Sequence, residues 1–230
     1  MSYQHIFFDL DHTLWDFKTN SRNALRGIYK NFNLLEHGVQ SELEFIATYE
    51  RINEGLWDMY RKHLIDKPTL RNTRFKEVLK FWHLEDDAIT SAVNEFYLDV
   101  SPYQKSLMPG AREALDYLGQ KYELHLITNG FKEIQKIKIR ECDIESYFDK
   151  IIISEEVGFQ KPHPRIFEHS LEITGSNTGD VIYIGDHLES DIKGSQDAGW
   201  DQVFFNPDGK KHEYSPTHEI EHLDELRDLF

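Results

Sequence analysis

Ile6-Phe7-Phe8-Asp9-Leu10-Asp11-His12-Thr13-Leu14 stands near the start of a 230-residue chain. Three consecutive apolar residues ending at an aspartate predict a short buried strand with polar groups at its carboxyl end. Such a strand needs neighbours. The pattern that supplies them starts after Pro109-Gly110, where helices and strands alternate. It reads as helix 111–120, strand 124–128, helix 132–140, strand 150–154, helix 164–173, strand 180–185, helix 190–198, strand 202–205 and a closing helix 219–229. Strands separated by helices of about ten residues predict a parallel α/β sheet with right-handed crossovers.

Between the first strand and its partners the periodicity is helical throughout. Apolar residues recur at three- and four-residue spacing over 23–32, 42–64, 69–82 and 86–97, with Leu43, Ile46, Ala47, Tyr49 and Ile52 marking the second segment. This stretch reads as an inserted helical domain over 16–101, with 1–15 and 102–230 forming the α/β core. Both connections fall near the strand end that carries Asp9. Open α/β sheets bind ligands at the carboxyl ends of their strands, so the insertion is expected over a site, with hinges near 16–19 and 101–103.

In a parallel sheet the strand ends share one edge. Here they bring together Asp9, Asp11 and Thr13; Thr128-Asn129-Gly130; Ser154-Glu155-Glu156; and Asp186 with Asp191, while Lys161 follows the third strand by a short loop. Carboxylates converging on one edge repel one another, and a hard divalent cation relieves that repulsion; an all-oxygen donor set favours Mg²⁺ over zinc. Thr128, Asn129 and Lys161 add a hydroxyl, an amide and a cation, which together describe a phosphoryl-transfer centre acting on a small phosphate ester. Asp9-Leu10-Asp11 begins like an EF-hand loop, but Leu14 stands where that loop needs glycine and Asn20 where it needs glutamate. No P-loop pattern occurs, and His12 has no second ligand at zinc-like spacing.

The formal charge of −15 argues against binding a nucleic-acid polymer, because a phosphate backbone demands a basic surface. A single cysteine, Cys142, reads as packing and fits a reducing compartment. No basic segment precedes an apolar run at the N-terminus, and no window has the length of a membrane span, so a cytoplasmic protein without a membrane partner is expected. Monomer and small homo-oligomer both remain open.

These motifs resemble the haloacid-dehalogenase-like superfamily across essentially the whole chain: Ile6 to Leu14 as its first, Leu126-Ile127-Thr128-Asn129-Gly130 as its second, Lys161-Pro162 as its third, and Ile184-Gly185-Asp186 through Asp191 as its fourth. The resemblance implies a Rossmann-like core with a helical cap. It also implies roles: Asp9 as nucleophile and Mg²⁺ ligand, and Asp11 as acid and then base, its carbonyl on the metal. Thr128 and Lys161 would hold the phosphate, Asp186 would ligate the metal, and Asp191 would complete the acidic shell. Asp11 is the phosphatase-type residue and argues against dehalogenation, whereas sugar-phosphate mutases keep both aspartates.

Within the insertion, Tyr49 to Trp57 and Leu70 to Phe75 are similar to bacterial pyrimidine 5′-nucleotidases. Asn53, Trp57 and Tyr60 share one helical face, where an amide and an aromatic ring suit a base; core packing explains Trp57 and Tyr60 equally well. Arg71 and Arg74 are candidate cations for the phosphate, with a solvated face as the alternative. The expected activity is therefore Mg²⁺-dependent hydrolysis of nucleoside 5′-monophosphates, pyrimidines preferred. Sugar phosphates, phosphoglycolate and a mutase reaction are the alternatives.

Overall fold

The computed structural model describes residues 3–230; Met1 and Ser2, the start of the stretch read above as lacking a leader, lie outside them. The chain divides into two compact units, one made of Met1–Phe17 and Lys105–Phe230, the other of Lys18–Gln104.

The core unit starts with β1 (His5–Phe8). Ile6 and Phe8 join one apolar cluster and Phe7 another, so the two-residue period of the strand serves both faces of the sheet.

The helical unit contains nearly all of α1 (Phe17–Asn31), with α2 (Glu42–Arg61), α3 (Lys67–Lys80) and α4 (Asp87–Val100). Three N-caps set where its helices begin. Ser41 Oγ accepts from Glu44 N at 3.2 Å, Asp66 Oδ1 from Thr69 N at 2.9 Å, and Asp86 Oδ1 from Ala88 N at 2.8 Å. The unit's own core gathers Ala24, Leu25 and Ile28 of α1 with Phe45, Ile46 and Tyr49 of α2, Phe75 and Val78 of α3, and Val93 and Tyr97 of α4. The inward stripe of α2 is thus Phe45, Ile46, Tyr49, Asn53 and Leu56. Leu43 and Ala47, read from the sequence as part of it, are exposed.

The core unit resumes with α5 (Ala111–Leu118), β2 (Glu123–Thr128), α6 (Lys132–Glu141), β3 (Phe148–Ile153), the short α7 (Ser154–Val157), α8 (Pro164–Thr174) and β4 (Val181–Gly185). It ends with α9 (Gly194–Asp197), β5 (Asp201–Phe205), β6 (His218–Ile220) and α10 (Leu226–Leu229). The six strands form one parallel sheet in the order β3-β2-β1-β4-β5-β6. α5 and α6 bury Leu115, Leu118 and Ile139 against one face, and α8 buries Ile166 and Phe167 against the other. The order reverses between β1 and β4, and there the carboxyl ends open a crevice in folds of this type.

Two expectations are corrected. The closing helix 219–229 begins as strand β6, whose Ile220 pairs with Phe205; only Leu226–Leu229 is α-helical. Three residues with one buried side chain are too few to display a strand period. The helix 190–198 opens as a π-helical turn, Leu188–Lys193, in which Ile192 N bonds His187 O five residues back.

Around the boundary of the units, within the core, the outgoing and returning chain stretches pair. Asp16 N donates to Ser106 O at 3.0 Å and Met108 N to Leu14 O at 2.8 Å, with Trp15 and Leu107 in an antiparallel bridge.

Candidate active site

β1 delivers Asp9 to the crevice, and Asp9 N bonds Ile184 O at 2.9 Å, fixing it beside the end of β4. The chain then turns sharply: His12 takes a left-handed φ of 69°, and Leu14 N and Trp15 N both return to Leu10 O. That turn buries Thr13, whose Oγ1 donates to Asp186 Oδ1 at 3.3 Å.

Lys161 is 2% exposed and supplies the one ammonium at the centre of this carboxylate group. Its Nζ donates at 2.7 Å to Asp9 Oδ1 and at 2.7 Å to Asp191 Oδ1, and lies 2.5 Å from the Tyr183 hydroxyl. Asn129 places it: Lys161 N donates to Asn129 Oδ1 at 2.8 Å, and Asn129 Nδ2 donates to Lys161 O at 2.8 Å. Asn129, expected to touch substrate, therefore spends both ends of its amide on the backbone of Lys161. Asp191 is spent similarly, its Oδ2 accepting from His187 N at 3.0 Å. This tight approach needs Gly185, where any Cβ would fall 2.5 Å from Asp191 Oδ2.

Asp9, Asp186 and Asp191 offer carboxylate oxygens that all lie within 4.8 Å of one another. Desolvation pushes Asp9 up to about 7 against the pull of Lys161, with Asp191 adding repulsion. Desolvation also holds Asp186 well above the carboxylate range, helped by Asp191 and Asp9. Burial alone would lower Lys161, but Asp191 and Asp9 keep it above the ordinary lysine value. Three crowded carboxylates facing one ammonium make a donor set that fits a hard divalent cation.

Asp11, expected on the metal through its carbonyl, turns its carboxylate toward α6. Oδ1 accepts from Lys138 Nζ at 2.5 Å and Oδ2 from Gln135 Nε2 at 2.8 Å. Gln135 Nε2 also lies 2.6 Å from Thr128 Oγ1, and Lys138 Nζ sits 4.1 Å from the Trp15 ring centroid. Any Cβ at Gly130 would fall 2.2 Å from Gln135 Nε2, so glycine is required there. Gln135 and Lys138, both buried on α6, are the residues that motif reading missed. Their signal is positional. Phe131, Ile139 and Cys142 mark the buried stripe of α6, and Gln135 and Lys138 fall on it.

The acids at the end of β3 serve otherwise. Glu155 Oε2 accepts from Lys132 N at 2.7 Å and Glu156 pairs with Lys132 and Lys136, tying α7 to the start of α6.

The remaining expected contacts lie in the helical unit. Asn53 is 6% exposed and its Oδ1 has no hydrogen-bond partner. Trp57 meets Tyr60 edge-on at 5.6 Å, and Arg71 is half-buried. Arg74 is not on a solvated face. It is buried, its guanidinium donating to Asn94 Oδ1 at 3.3 Å and lying 4.6 Å from the Tyr97 ring centroid.

With this geometry in place, the comparison with known proteins is decisive: the family model for haloacid dehalogenase-like hydrolase matches residues 3–199. The chain belongs to this family. It is 30% identical to the pyrimidine 5′-nucleotidase YjjG of Escherichia coli, covering 100% of this chain and 98% of that protein. It is 32% identical to the pyrimidine 5′-nucleotidase PynA of Streptococcus pneumoniae, covering 99% and 95%. The crystal structure of the HAD-hydrolase YfnB of Bacillus subtilis, bound to magnesium, superimposes with a TM-score of 0.90 at 32% identity over 100% of this chain and 99% of that one. This haloacid dehalogenase-like hydrolase is accordingly an enzyme, and among its described residues no helix is long and apolar enough to cross a membrane.

Proposed function

We propose that this hydrolase is a Mg²⁺-dependent phosphomonoesterase that works through an aspartyl-phosphate on Asp9, with nucleoside 5′-monophosphates, pyrimidines first, as substrates. One observation carries the reading: Lys161 Nζ shared between Asp9 and Asp191, beside Asp186. Asp9, Asp186 and the Asp11 carbonyl would hold the cation, with Asp191 acting mainly by orienting Lys161. The cation would supply positive charge against the phosphoryl oxygens and the crowded carboxylates.

Lys161 occupies Asp9 Oδ1, leaving Oδ2 as the nucleophile. Its attack forms an oxygen–phosphorus bond as the bond to the leaving oxygen breaks, and Asp11 gives that oxygen a proton. Water then attacks phosphorus, giving its proton to Asp11 while the acyl-phosphate bond breaks to return the Asp9 carboxylate and free phosphate. Thr128 and Lys161 would bind the phosphoryl oxygens. Gln135 bridges Thr128 and Asp11, so it would keep the acid beside the phosphate site.

The helical unit would confer selectivity, with Asn53, Trp57, Arg71 and Arg74 as candidate contacts. Asn53 is the strongest, because a buried unsatisfied amide oxygen is costly unless a ligand donor meets it. The 30–32% identity to two pyrimidine 5′-nucleotidases supports the substrate class. The test is phosphate release with Mg²⁺ from matched nucleoside monophosphates and sugar phosphates. Pyrimidine nucleotides should turn over fastest and Asp9→Asn should be inert; release from sugar phosphates alone would overturn the substrate, and an active Asp9→Asn the mechanism.

A further inference from the structure

At the amino ends of the strands, on the edge of the sheet opposite to Asp9, three side chains converge that the proposed reaction does not use. His5 opens β1 and Glu123 opens β2, paired in the parallel register, and His125 lies two residues further along β2 on the same face. His5 Nδ1 stands 3.1 Å from His125 Nε2 and 3.5 Å from Glu123 Oε2, and the three groups offer ligand atoms within 4.8 Å of one another. With metal–ligand bonds of about 2.0–2.1 Å, the edge of a tetrahedron around zinc is about 3.3 Å. The separations of 3.1 and 3.5 Å bracket that edge.

We propose that His5, Glu123 and His125 form a second metal site, for a zinc-type divalent cation, distinct in position and chemistry from the carboxylate centre. Two imidazoles and one carboxylate suit a borderline cation, whereas the Asp9 centre offers oxygen alone. The site is graded in exposure: His125 is fully buried, the His5 side chain is 12% exposed and the Glu123 side chain is 63% exposed. An ion could therefore enter from solvent and keep a water as fourth ligand. The His125 ring is positioned by stacking on Phe7, 4.6 Å between centroids, and its Nδ1 has no hydrogen-bond partner. An ion bound here would tie β1 to β2 and stabilise the native state by mass action.

The test is Zn²⁺ titration of the intact, Mg²⁺-saturated protein by calorimetry and thermal melting, with Co²⁺ absorption as the probe of tetrahedral ligation. One equivalent should bind and raise Tm. His5→Gln and Glu123→Gln, chosen because His125 is too buried to change safely, should each weaken binding at least about tenfold while Mg²⁺-supported activity is kept. Asp9→Asn should bind Zn²⁺ like the parent. Equal affinity in His5→Gln and Glu123→Gln, loss of binding in Asp9→Asn, or no Zn²⁺ uptake by the parent would each overturn the proposal.

Discussion

At the scale of the residue, the crowding around Lys161 has a thermodynamic cost that can be read in pH. An unfolded aspartate titrates near 3.9, whereas Asp9 in the fold is pushed up to about 7 by desolvation. Between those values the folded state binds more protons than the unfolded one, so this group's contribution to stability falls as pH rises from about 4 to about 7. Asparagine removes that contribution. With EDTA present, Asp9→Asn should therefore unfold at higher urea than the parent at pH 8, and the gap should close toward pH 4. Added Mg²⁺ should stabilise the parent more than the variant. A parent as stable as Asp9→Asn at every pH without metal would mean that Lys161 alone balances the three carboxylates.

At the scale of the element, α6 carries buried polar side chains, Gln135 and Lys138, on the stripe where a helix normally carries only packing. Lys138 holds Asp11 from a buried position and rests on Trp15, so it positions the proposed acid without touching the reaction centre itself. Lys138→Met keeps the apolar stem and removes the contact. It should lower kcat roughly ten- to a hundredfold with KM little changed, and Lys138→Arg should recover part of the loss. Unchanged kcat in steady-state assays would reduce Lys138 to a packing residue. The sheet itself was legible because Ile6-Phe7-Phe8, Leu126-Ile127 and Ile182-Tyr183-Ile184 are apolar runs bounded by polar ends, as doubly covered parallel strands must be. The polar groups gathered around Asp9 were legible for the same reason, since most of them sit where those runs stop. Gln135 and Lys138 were not, because a lysine-rich helix reads as a solvated face until Phe131, Ile139 and Cys142 show which side is buried. β6 escaped because its length falls below one readable period.

At the scale of the whole molecule, the two units have separate apolar cores, and Cys142 reports on one of them. Burial raises its thiol to about 11, so at pH 8 about one molecule in a thousand carries the thiolate. Its reaction with a disulfide reagent should be slow in the native protein and should follow unfolding of the core unit in urea. Labelling at the rate of a free thiol without denaturant would show that the core opens readily by itself. The paired stretches at the boundary have a different kind of consequence. Because Asp16 bonds Ser106 and Leu14 bonds Met108, the chain leaves the sheet and comes back through one narrow doorway. A segment whose two ends are clasped this closely closes on itself like a loop, so its length can vary while every strand keeps its register.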